Sequence, residues 1–182
     1  MARQLGLFGG EPASALGSPA VPEALRALAA RFAERLHGFL AALPRGPLYA
    51  VEIRHRAWLG PAYAEALAAT GAVHCFAVHP RMPGLAAQAH AVAAARGAAL
   101  VVRWSLGHGL RYEVARARYA PFDRLVAEDP ATRAALAGLA VAALRDGCPV
   151  FIAINNKAEG SAPRSVARLA AAIDAGLRAP TC

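Results

Sequence analysis

PVFIAINNKAEGSAPRSVARLAAAI, residues 149–173, is the stretch on which the fold turns. An apolar run of strand length, PVFIAIN at 149–155, stops at two asparagines. A short polar turn follows, and a helix-spaced segment begins around Pro163. Strand, turn and helix in that order form half of a crossover unit, the connection that parallel strands require. Outward from this stretch the same alternation recurs. Strand-like runs occupy 48–54 (LYAVEIR), 73–79 (VHCFAVH) and 99–104 (ALVVRW), and helical spacing marks regions near 61–70, 84–96 and 131–145. Between Val21 and Leu43, the residues Leu25, Leu28, Phe32, Leu36 and Leu40 recur at steps of three and four, which predicts an amphipathic helix closed by Pro44. Residues 105–130 read as a long polar connection. The expected class is α/β, with about four parallel strands alternating with helices, arranged as a small open sheet or as a partial (β/α)-barrel.

The chain has 182 residues, enough for one domain with a sizeable core. Residues 1–20, rich in Gly, Pro, Ala and Ser, read as a flexible lead-in, and 21–182 as a single domain. The composition is 57% hydrophobic and 18% charged, which excludes a disordered chain. Its apolar runs stop well short of the roughly 20 residues a bilayer span needs, and the N-terminus has no sustained apolar segment of a secretory signal. No membrane partner is expected, and the cytoplasm is the default compartment. Three cysteines, Cys75, Cys148 and Cys182, are too few and too scattered for a zinc site or a disulfide framework. The formal charge of +8 attracts polyanions, so a nucleic-acid-binding role is a second reading, weakened by the dispersal of the arginines along the chain.

In parallel α/β sheets ligands bind beyond the carboxyl ends of the strands. Those ends carry Glu52, Arg54, His55 and Trp58 on the first, His79 on the second, Arg103 and Trp104 on the third, and Asn155, Asn156 and Lys157 on the fourth. Alternation puts Glu52 and Arg54 on one face of their strand, where an acid and a base pair with each other or meet a ligand. His55, His74 and His79 do not have the spacing of a metal-ligand set, and no metal or cofactor is expected. In the last loop, Gly160 permits a turn, Ser161 is placed as N-cap and Pro163 opens the helix. Lys157 and Arg164 flank that helix start, a natural anion site.

VEIRHRAW at 51–58, VVRW at 101–104 and INNKAEGSAP at 154–163 resemble, in order and spacing, motifs of the YecE-like family, a family of unknown function with a (β/α)-barrel fold. The resemblance covers about residues 32–177 and implies that Glu52, Arg54, His55, Arg103, Asn155, Asn156 and Lys157 line the barrel mouth. Relatives are longer and carry a GTSGW-like first strand and a VEIN-like later strand, both missing from this sequence. RQLGLFGGEP resembles the start of those relatives, whereas FAERLHGFLAALP at 32–44 resembles their middle. The expectation is an internal deletion with a junction near Arg31–Phe32, leaving the C-terminal half of the barrel.

Together these readings point to a barrel enzyme, or the remnant of one, that takes a phosphorylated or other anionic small molecule. Glu52, Arg54 and His55 are the candidate catalytic residues; Arg103, Asn155, Asn156, Lys157 and Ser161 are the candidate ligand contacts. A third reading is a truncated, non-catalytic half-barrel that self-associates, for instance as a homodimer through exposed sheet edges.

Overall fold

The computed structural model describes residues 22–93, 97–107 and 109–180; the expected lead-in at 1–20 lies outside them. Helix α1 (Glu23–Ala41) comes first, then strand β1 (Ala50–Val51) and a 3₁₀ turn at Arg56–Trp58. After these come α2 (Pro61–Thr70), β2 (Val73–Val78), α3 (Leu85–Ala91) and β3 (Leu100–Trp104). The chain continues through α4 (Tyr112–Tyr119), α5 (Pro130–Arg145), β4 (Val150–Ile154) and α6 (Ala162–Arg178). The four strands pair in sequence order, β1-β2-β3-β4, and every pair is parallel. This is the α/β alternation expected, with two departures. The first strand keeps only two ladder residues of the seven anticipated, and the polar connection contains a helix, α4.

The register fixes what the sheet offers on each side. Cys75, Val101 and Phe151 lie abreast, and one pleat further on come Ala77, Arg103 and Ala153. Continuing β1 by its register with β2 adds Glu52 to the first row and Arg54 to the second. On the opposite side Val78, Leu100, Val102 and Trp104 pack with Leu85 of α3, Leu136 and Ala140 of α5, and Leu169 of α6. Helices therefore cover one face. On the other, Val101 is half-buried while Arg103, Phe151 and Ala153 are exposed.

A second core joins α1, α2 and the first two strands around Leu40, Ile53, Tyr63 and Leu67. Phe32 of α1 stacks on Trp58 at 4.4 Å between ring centroids. Buried His74 sits on the helix-covered side, its Nδ1 2.9 Å from the Tyr63 hydroxyl and its Nε2 3.2 Å from Gln88 Oε1. Gln88 in turn accepts from the Ala77 amide and donates to the Ala77 and Pro83 carbonyls. Its amide orientation is thus fixed, which assigns the His74 proton to Nε2. Helix α5 starts on Asp129, whose side chain accepts from the Thr132 amide at 2.9 Å, and ends at Gly147, held at φ 74°.

Candidate functional site

The end of β1 and the carboxyl-terminal part of β3 meet across β2. Glu52 Oε1 accepts from Arg54 Nε at 2.7 Å, and its Oε2 accepts from Arg103 at 2.9 Å. Burial pushes the Glu52 carboxyl up, but the two guanidiniums outweigh it and hold it below the ordinary carboxylate range. Each arginine engages the carboxylate through one of its five N–H groups, and the two side chains are 46% and 48% exposed. The trio carries a net charge of +1 and keeps most of its donors open to the uncovered face of the sheet. Cys75 lies in the same row as Glu52. Its thiol is pushed up to about 11 by burial, with Glu52 adding to the effect, so it stays neutral and acts as a core residue.

His55 forms no hydrogen bond with this trio. It is exposed at the start of the 3₁₀ turn, 5.4 Å from the Trp58 ring centroid. His79 follows the end of β2 and accepts from the Arg81 amide through Nδ1. Burial, helped by Arg54 and Arg81, depresses its imidazole. Among the described residues no group of three His, Cys, Asp or Glu could hold a metal ion, and no helix is long and apolar enough to cross a membrane.

The loop after β4 divides its polar residues between construction and display. Asn155 lies two residues beyond Ala153, on the same face as Arg103 and one pleat, about 7 Å, further along. Its Oδ1 accepts from the Lys157 amide at 3.0 Å and from Nζ at 3.3 Å. Lys157, the only lysine of the chain, is 9% exposed; its Nζ lies 4.2 Å from the ring centroid of Tyr112 and 6.0 Å from that of Phe122. Among the described residues no acidic side chain forms an ion pair with it. Phe122 adopts φ 68°, a left-handed conformation uncommon away from glycine, in the segment that brings its ring to this lysine.

The capping expectation needs correction. Ser161 occupies the N-cap position of α6, yet its side chain makes no cap bond. Asn156 does that work instead: its Oδ1 accepts from the Ala162 amide at 2.7 Å. Asn156 thereby ties the loop to the start of α6, and Ser161 is buried.

Two residues that sequence reasoning passed over hold this framework. Glu159 is fully buried, accepts from Arg133 and, at 2.7 Å, from the Asp129 amide. Its own carbonyl accepts from the amides of Val126 and Ala127, tying the loop after β4 to the segment before α5. Arg133, one of the arginines dispersed along the chain, is buried. Gly160 is held at φ 121°, and a Cβ there would lie 2.6 Å from the Arg124 carbonyl oxygen. The signal available in the sequence was an acid directly before a loop glycine, which does not name its partner.

A family model described as "Protein of unknown function DUF72" matches residues 21–181. The chain belongs to this family, known also as YecE-like. No curated protein and no solved structure matched the chain. Membership of DUF72 agrees with the resemblance carried by the VEIRH, VVRW and NNKAEGSAP segments and assigns no reaction. The chemistry therefore rests on the strand-end geometry alone.

Proposed function

We propose that this DUF72 protein binds a small phosphorylated or carboxylated molecule at the carboxyl ends of its strands, with Arg54, Arg103 and Lys157 as the cationic contacts. The observation that carries this reading is the shared carboxylate. Two guanidiniums on one Glu52 leave a net positive charge and unoccupied N–H groups, the arrangement that recognises an anion by paired hydrogen bonds. Lys157, two residues beyond Asn155, supplies a second positive point, set against aromatic rings and paired with no acid among the described residues. Glu52, kept ionised by its two arginines, is the group suited to accept a proton from a bound ligand. His55, exposed at the rim, is a ligand contact in this reading and has no partner to orient it as a base. The four-stranded parallel sheet is read as part of a barrel.

Equilibrium dialysis against labelled inorganic phosphate tests the site. The wild-type chain is expected to bind saturably, and Lys157→Met and Arg103→Gln each to weaken binding about tenfold or more with little change in melting temperature. Equal binding by all three proteins would defeat the reading.

One observation favours a polyanion instead: α4 and its start expose Arg111, Tyr112, Arg116 and Arg118 together. Nucleic-acid binding through that helix would fall steeply with salt and be insensitive to Arg103→Gln, which separates the two.

A further inference from the structure

Among the described residues the sheet presents two unpaired edges and a face left open on its β3–β4 side, and they belong to the same incomplete closure. Pro149 accepts from the Leu100 amide and the Asn155 amide donates to Trp104, so the odd-numbered residues of β4 bond inward to β3. By alternation the N–H and C=O groups of Val150, Ile152 and Ile154 point to the open edge. At the other end of the sheet β1 pairs, among the described residues, only with β2. Between the edges, the face opposite the helices exposes Phe151 at 56% beside half-buried Val101.

Most of the exposed large apolar side chains follow the same plan. Leu28 and Phe39 lie on α1 and Leu48 just ahead of β1; Phe151 lies on β4, and Val166 and Leu177 on α6. These six lie at the two ends of the array and α2 and α3 expose none, while Tyr112 and Val114 on α4 and Leu144 on α5 are exposed between β3 and β4. An eight-stranded parallel sheet closes on itself, and this chain supplies four strands in unbroken order. A second copy turned by a two-fold axis along the strands would bring its β1 beside β4, parallel as the sheet requires. It would set its α1 against α6 and cover Phe151. The same contact repeated once closes the ring without leaving an edge.

We propose that two copies of this chain close into one eight-stranded parallel barrel, β4 of each pairing with β1 of the other, so that each strand-end site is completed by the partner's loop. The Glu52–Arg54 end of β1 in one copy then adjoins Asn155–Lys157 of the second, and the open shelf on which Arg54 and Arg103 stand becomes a concave mouth. This inference rests on the sheet edges and the apolar ends, and it stands or falls separately from anion binding.

Analytical ultracentrifugation of the full chain, with hydrogen exchange read at single amides, tests it. The expected result is a discrete species of twice the 18.8 kDa chain mass, with the Ile152 amide protected and exposed again on dilution. Phe151→Arg, at a position already exposed in a single copy, should raise the dimer dissociation constant about a hundredfold, tenfold for each of the two phenylalanines replaced, while a cooperative melt shows that the chain still folds. A monomer at every concentration overturns the proposal. So does mass that grows continuously with concentration, a dimer whose Ile152 amide exchanges freely, or a dimer indifferent to Phe151→Arg.

Discussion

Replacing Arg133 by methionine keeps the length of the side chain and removes its charge from a site where Glu159 is fully buried. The carboxylate would keep the Asp129 amide at 2.7 Å and lose its only cationic partner. Breaking one side of a buried pair costs about 3–5 kcal/mol, because the remaining charge is left uncompensated in a poorly polarisable interior. For a chain of this size each kcal/mol moves the melting temperature by roughly 2–4 °C, so a fall of roughly 6–20 °C is expected. Glu159→Gln should cost less, since Arg133 still has Glu128 at 3.2 Å. The double variant Arg133→Met/Glu159→Gln should recover part of the loss. Thermal melts of the four proteins by circular dichroism read all of this. A single variant within about 1 kcal/mol of wild type would refute the reasoning that this pair clamps the loop, as would a double variant that merely sums the two losses.

Other perturbations probe the same framework. Burial pushes the His74 imidazole down, so the unfolded chain takes up protons first. Stability should therefore fall as the pH drops below the ordinary histidine value of about 6.5, with His79 adding to the slope and His74→Gln reducing it in melts across that range. Gly160→Ala places a Cβ against the Arg124 carbonyl and the Val126 amide at a positive φ, and chemical denaturation should register a loss of about 2–4 kcal/mol. Asn156→Ala removes the acceptor of the Ala162 amide and should cost about 1 kcal/mol, more than Ser161→Ala, whose side chain makes no cap bond.

The alternation of strands and helices was legible because its causes are local. Apolar runs such as Val73–Val78 and Val150–Ile154 fit only a strand buried on at least one side, and Pro61, Pro130 and Pro163 mark helix starts. The short β1 was not legible, since the pairing of 52–54 is decided by the neighbouring strand and not by its own apolar spacing. Helix α4 was hidden because Arg111–Arg118 is polar nearly all round, and its helix is held by packing of Ala115 and Tyr119. At the site, alternation placed Glu52 and Arg54 on one face, and their pairing follows from that. Arg103 joined them through register, which periodicity does not supply. The cap bond falls to Asn156 and not to Ser161 because it depends on loop path as well as residue type. Glu159 and Arg133 are 26 residues apart in sequence, and only the folded loops bring them together.

The most direct test of the strand-end anion site is a crystal of this protein grown with tungstate, a heavy phosphate analogue whose position is read from anomalous scattering. The account expects a peak within hydrogen-bonding reach of Arg54 and Arg103 on the uncovered face of the sheet, lost in Arg103→Gln. Peaks confined to the exposed arginines of α4, with the Glu52 trio empty, would contradict it.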